Sequence, residues 1–290
     1  RSMKNTRRIV AAVFAAFLAI MPLLASCEKN QTDDGRPTIA VSILPEATFV
    51  RAVAGELAEL ITLIPPGYSP ENYEPTPSDM MSFERAALYF SIGVPAETGI
   101  LPHVPENVKI VALHEEVAAV YPERSFPSGE RDPHIWLSPR RVKVMVEVIA
   151  RELSLLDPAN EKTYKDNAAA YMSRLDELDT TIASALADVK NPKIIVYHPA
   201  FGYLAEDYGI IMYALEDEGK EATAKRLGEM VELARAENIK VIFYQEEIDS
   251  SQAAAFAEEI GGATIRLSPL AADYIDNLKR MAELMAEAMQ

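Results

Sequence analysis

Residues 164–186 read YKDNAAAYMSRLDELDTTIASAL. From Asn160 to about Leu186 the leucines, tyrosines and methionine fall at helical spacing, and no glycine or proline intervenes. A helix of that length is unusual in a globular core, because its apolar face must find cover along its whole extent. A connector between two lobes accounts for it better than an element inside one core. Asp157-Pro158 separates it from a helix expected over 139–156, since a proline disfavours helix in the residue before it.

Outward from this helix, both flanks alternate strand and helix. On the N-terminal side Thr38 to Leu44 (TIAVSIL) is a β-branched run closed by Pro45, and an amphipathic helix is expected from about Thr48 to Leu57. Leu60 to Ile64, Ala87 to Ile92 and Val108 to Leu113 read as further strands, with Ser78 capping a short helix over Met80 to Arg85. On the C-terminal side the expected strands are Lys193 to Tyr197, Ile210 to Leu215, Val241 to Tyr244 and Ala263 to Leu267. Helices are expected there at about 220–236, 250–260 and 271–289. Such alternation implies parallel sheets. The expected fold class is therefore α/β, with two parallel-sheet α/β lobes joined by one long helix. The N-terminal lobe covers 38–158, the connecting helix 159–189 and the C-terminal lobe 190–290.

The start of the chain has a different character. Lys4, Arg7 and Arg8 precede an apolar run from Ile9 to Ala25, and Leu24-Ala25-Ser26-Cys27 closes it. That order of basic, apolar and small residues reads as a bacterial lipoprotein signal peptide over residues 1–26, followed by a polar lipidated tether over 27–37. The 17-residue apolar run falls short of the roughly 20 residues a membrane-spanning helix needs. Cys27 is the only cysteine; a structural disulfide is excluded and lipid attachment is the use expected for the thiol. The expected location is extracytoplasmic, anchored by lipid to the bacterial cell membrane on its periplasmic or cell-surface face. Four of the 28 Lys and Arg and none of the 44 acids lie in residues 1–26, so the remainder carries 24 cations against 44 anions, a net −20. A surface of that sign repels nucleic acid, for which no binding role is expected, and attracts cations.

Two of the four histidines stand at strand-to-loop transitions. His134 lies in Arg131-Asp-Pro-His-Ile-Trp136, and His198 in Ile194-Ile-Val-Tyr-His-Pro-Ala200, at the carboxyl end of an expected strand, where parallel sheets bind ligands. Neutral imidazole is a common ligand for zinc and related ions, and Asp132 could orient a ring from behind. Taken singly, each histidine reads more readily as an ordinary hydrogen-bonded loop residue. The loop PPGYSPENYEPTPSD, residues 65–79, follows a strand and holds five prolines; such stiffening lowers the entropy cost of holding a ligand and makes Glu71 a candidate carboxylate. Gln245-Glu-Glu-Ile-Asp249 adds acids at another strand end.

The lipobox, GYSPENYEPTPSD, DPHIWLSP, the long helix around NAAAYMSRLDELD, YHPAFGYLAEDYGI and SPLAADYIDNLKRMAE together resemble the zinc/manganese substrate-binding lipoproteins of ABC importers, a group that includes streptococcal metal-binding adhesins. The resemblance covers nearly all of the chain after the leader. It implies a metal site in the inter-lobe cleft, with His134 and His198 matching two family ligands. Glu71 stands where a first-loop histidine is expected, and Ser268 where an L-D-P-L segment would supply aspartate. Glu71 can still ligate through oxygen; serine is a poor ligand. The fourth donor is then Glu247, Glu246 or a water. The expected metal set is Glu71, His134, His198 and Glu247, with Zn2+ as cargo and Mn2+ as the alternative. The histidine-rich loop of many zinc importers is missing, since residues 117–131 (VAAVYPERSFPSGER) contain no histidine. His103 and His114 match no family motif and read as structural or surface residues.

The resemblance implies a monomeric binding protein that delivers metal to a membrane permease, with no enzymatic activity. Two alternatives stand beside it: a surface adhesin with a degenerate metal site, and a metal-dependent hydrolase using His134, His198 and a carboxylate to activate water. No HExxH, GxSxG or GxxxxGK[ST] segment supports the last.

Overall fold

The computed structural model describes residues 35–216, 220–248 and 251–290. The leader, Cys27 and Asp249 lie outside the described residues. In chain order the elements are β1 (Thr38–Val41), α1 (Leu44–Ala54), β2 (Glu59–Thr62), α2 (Pro77–Ser82), β3 (Ala86–Ser91), α3 (Glu97–Ile100), β4 (Lys109–Ala112), α4 (Leu113–Ala118), α5 (Pro139–Leu156) and α6 (Glu161–Leu186). They continue with β5 (Lys193–Val196), α7 (Gly202–Tyr208), β6 (Ile211–Ala214), α8 (Ala224–Ala236), β7 (Val241–Gln245), α9 (Ser251–Glu259), β8 (Ala263–Leu267) and α10 (Tyr274–Ala288).

The strands form two all-parallel sheets of four, ordered β2-β1-β3-β4 and β6-β5-β7-β8. Each lobe thus repeats one winding, with strand order reversing between its first and third strands. Loops leaving the strands on either side of that reversal diverge and open a crevice at the carboxyl ends, where open α/β sheets bind ligands. β1 is buried along its length, as expected for a strand covered on both faces.

The joining helix α6 has 26 residues, roughly 39 Å at the α-helical rise. Its buried residues are Tyr164, Ala168, Tyr171, Leu175, Leu178, Ile182 and Leu186, a stripe with steps of three and four that keeps one face inward. That stripe packs on α5, α10 and α1 and belongs to a hydrophobic core that takes in residues of both sheets. The connector is therefore also a wall of the core. Trp136, 1% exposed, also ties the lobes together: its Nε1 donates to the Pro269 carbonyl at 2.9 Å, and Tyr274 Oη donates to the Trp136 carbonyl at 2.7 Å.

Several boundaries differ from those expected. The run Thr38 to Leu44 is not one strand: β1 ends at Val41 and α1 starts at Leu44. Pro45 sits in the first turn of α1, where its missing N–H costs nothing and its fixed φ suits a helix. Glu46 Oε2 accepts the Ser42 and Ile43 N–H groups at 3.0 and 3.1 Å, so the strand gives way directly to a capped helix. α1 stops at Gly55, whose φ of +56° is open to glycine at little cost. Thr76, not Ser78, caps α2, accepting from Asp79 N at 3.2 Å. Helices α4 and α7 were not expected. Among the described residues no helix is long and apolar enough to cross a membrane.

Candidate metal centre

Three chain segments converge at the mouth of the crevice. Glu71 comes from the proline-rich loop after β2, and short bonds fix that loop: Glu71 N–H donates to Ser69 Oγ at 3.2 Å, Tyr73 N–H to the Ser69 carbonyl at 3.1 Å, and Ala96 N–H to the Pro70 carbonyl at 3.0 Å. His134 follows Asp132-Pro133 just before α5. His198 lies two residues beyond β5, at the point where the order of the second sheet reverses.

The structure brings these three side chains together. His134 Nε2 and His198 Nε2 are 3.3 Å apart, and Glu71 Oε1 lies 3.2 Å from the first and 3.6 Å from the second. Both histidines are buried, and the Glu71 side chain is 19% exposed, so the donors meet largely shielded from solvent.

Each imidazole is backed by a carboxylate. Asp132 Oδ1 accepts the His134 backbone N–H at 3.0 Å and faces Nδ1 at 2.8 Å. Buried Glu216 takes the same position at His198 Nδ1. A proton held on Nδ1 by a carboxylate leaves the Nε2 lone pair aimed at the shared point and raises its basicity. Sequence reasoning named Asp132 and missed Glu216. Leu215 and Glu216 extend the β5–β6 ladder, donating to the Val196 and Tyr197 carbonyls at 2.9 and 3.0 Å, and this pairing sets Glu216 beside His198. An acid just past the strand that neighbours a histidine-bearing strand is the signal that would have found it.

The electrostatics follow from this packing. Burial alone would push the His134 imidazole down, but Asp132 and Glu71 outweigh it and hold the pKa up at about 9. His198 is likewise raised: burial opposes, Glu216 and Glu71 prevail. Burial would raise Glu71, yet the two imidazoles facing it hold its carboxyl well below the usual carboxylate range.

The remaining acids stand apart from this group. Glu247 is half-buried, its Oε2 has no hydrogen-bond partner, and burial raises its pKa. It lines a cavity of about 280 Å³ with Pro65, Gly67, Tyr68, Glu246 and Ser268, but it is not one of the donors that approach within 4.8 Å of one another. Glu246 is exposed and pairs with Arg266 at 3.3 Å. His103 is exposed and His114 half-buried, and neither is among the three converging donors.

Paired parallel α/β lobes on one helix, with imidazoles and a carboxylate meeting between them, define a two-lobed binding protein. The chain belongs to the family of zinc-uptake complex component A periplasmic proteins, ZnuA, whose model matches residues 39–288. It is 29% identical over 286 residues to the zinc-binding lipoprotein AdcA of Streptococcus pneumoniae, an alignment covering 92% of this chain and 56% of that one; the chain spans little more than half the length of that relative. The high-affinity zinc uptake system protein ZnuA of Bacillus subtilis is 26% identical, with 96% of each chain covered. A zinc-bound ZnuA deletion mutant superposes with a TM-score of 0.82 at 33% identity, covering 88% of this chain and 98% of its own.

Proposed function

We propose that this protein captures a divalent transition metal, Zn2+ with Mn2+ as the alternative, between its lobes and delivers it to the permease of an ABC importer. The observation that carries the reading is the donor triangle. Its edges of 3.2, 3.3 and 3.6 Å match the edge of about 3.3 Å expected for tetrahedral ligands bound to zinc at about 2.0–2.1 Å. Two imidazoles and one carboxylate also suit zinc, which forms stronger complexes than manganese at such a site. A fourth donor would be Glu247, whose carboxylate oxygen has no hydrogen-bond partner, Glu246 or a water; either acid would have to approach, since neither is among the donors that lie within 4.8 Å of one another. Lipid on Cys27 would tether the monomer on the outer face of the cell membrane, which suits a carrier that returns repeatedly to a permease. The zinc-binding names of AdcA and of the ZnuA relatives support this reading over an enzymatic one.

Thermal unfolding with each ion at equal free concentration tests it. A ligand binding only the folded state at 100 times its Kd adds about 2.7 kcal/mol, or about 5–10 °C in Tm for a body of this size. Zn2+ is expected to give a shift of that order and Mn2+ a smaller one. A larger shift with Mn2+ would reverse the cargo assignment, and no shift with either would leave a degenerate site of the adhesin kind.

A further inference from the structure

Helix α7 begins four residues after His198 and lies against the segment that carries His134. Gly202 opens it, and a Cβ there would come within 2.6 Å of Asp132 Oδ2 and 2.8 Å of Arg124 Nε. The missing side chain is what allows the Asp132 and Arg124 side chains to rest on the helix backbone. The next residue, Tyr203, is fully buried. Its hydroxyl accepts the Arg124 backbone N–H at 3.0 Å and donates to the Asp132 carbonyl at 3.2 Å. Asp132 N–H in turn donates to the Arg124 carbonyl at 3.0 Å. One phenol thus ties together both ends of the 124–132 loop.

Charge reinforces the same contact. The Arg124 guanidinium pairs with Glu206 of α7 and stands 3.5 Å from Asp132 Oδ2. Arg141, 4.5 Å over the Tyr203 ring, donates to Asp207 of α7 at 3.0 Å.

We propose that α7 is a cross-lobe clamp in which the Tyr203 hydroxyl acts as a positioning residue for His134, working through Asp132. Asp132 Oδ1 holds His134 by one hydrogen bond to its ring Nδ1 and one to its backbone N–H, and Tyr203 fixes the Asp132 backbone. Because α7 is continuous in sequence with His198, the spacing between the two imidazoles becomes a property of this contact. The site is then preformed before cargo arrives, and ordering costs at binding are reduced. This inference rests on the metal-binding reading for its effect on affinity, though the positioning itself does not need metal.

The test compares Tyr203→Phe with Tyr208→Phe. Tyr208 lies in the same helix and its hydroxyl donates to Asp179 Oδ1 at 2.8 Å, so both variants remove a hydrogen-bonded hydroxyl from α7, with two bonds lost at Tyr203 and one at Tyr208. In the metal-free protein, Tyr203→Phe is expected to broaden or shift the His134 Nδ1–H proton resonance, and Tyr208→Phe to leave it in place. Zinc competition against a chromophoric chelator is expected to show Kd raised by about tenfold or more in Tyr203→Phe, the usual scale for losing an outer partner of a ligand, mostly through faster release. Tyr208→Phe should stay within about twofold of wild type. Gly202→Ala, which pushes on Asp132 directly, should move the same resonance and decides the matter if Tyr203→Phe does not fold. An unchanged His134 resonance in the 203 and 202 variants, or equal changes in the 208 variant, would overturn the proposal. A wild type that binds no zinc but shows the resonance change would remove the metal reading and leave the positioning one standing.

Discussion

At the scale of single residues, protons and metal compete for the same lone pairs. His134 is held at about 9 by Asp132 and Glu71 against the downward push of burial, and His198 is raised with it. At neutral pH the site therefore keeps a proton that the proposed cargo would have to displace, and each displaced proton would make apparent affinity tenfold weaker per pH unit lowered. We expect the apparent zinc association constant to rise from pH 6 to about pH 9 and to flatten beyond, in titrations with buffered free zinc. A plateau already near the ordinary imidazole value of about 6.5 would contradict the raised pKa. The same shift stabilises the metal-free protein fully below about pH 6.5, a contribution lost as pH climbs through about 9. Glu71, His134 and His198 were legible because a stiff loop, a strand end and a recognisable segment mark each locally. Glu216 carries no such mark: only the pairing of β6 with β5 puts it behind His198.

At the scale of elements, the carboxyl ends of β1 and β3 hide a second polar cluster. Ser42, Glu46, Tyr89 and Glu97 are all buried. Ser42 Oγ meets Glu97 Oε1 at 2.5 Å and Tyr89 Oη at 2.7 Å, while Ile92 and Gly93 N–H groups donate to Glu97 at 2.8 Å. Burial, and then the neighbouring Glu97, push the Glu46 carboxyl well above its usual range, and Glu46 Oε1 has no partner. A raised acid pKa means the folded state keeps a proton that the unfolded chain releases, so this group costs stability as pH rises above about 4.5 towards the folded value. Glu46→Gln retains an oxygen to accept from Ser42 and Ile43 at the start of α1 without the charge. It should raise stability by about 1–3 kcal/mol, the scale of a buried polar group left unpaired, more at pH 8 than at pH 5 in denaturant titrations. A loss of stability at both pH values would show the carboxylate to be ionised and paired. Sequence alone misplaced this junction. Pro45 reads as the end of a strand, and only the Glu46 side chain bonding back to Ser42 and Ile43 reveals it as the first turn of a helix.

At the scale of the whole molecule, α6 was legible because periodicity without glycine or proline over 26 residues leaves few other readings, and its two flanks of strand and helix follow from local pattern. What sequence could not provide was the meeting of the flanks. Trp136 bonding to Pro269, Tyr203 bonding to Asp132, and the distance of Glu247 from the three donors all depend on how the lobes face each other, which no local pattern records. The central claim is that this facing builds one metal site from Glu71, His134 and His198. Anomalous diffraction at the zinc edge from a zinc-loaded crystal tests it most directly. A single strong peak within about 2.0–2.2 Å of Glu71 Oε1, His134 Nε2 and His198 Nε2 is the expected result; a peak bound elsewhere, with those three side chains still paired to one another, would contradict it.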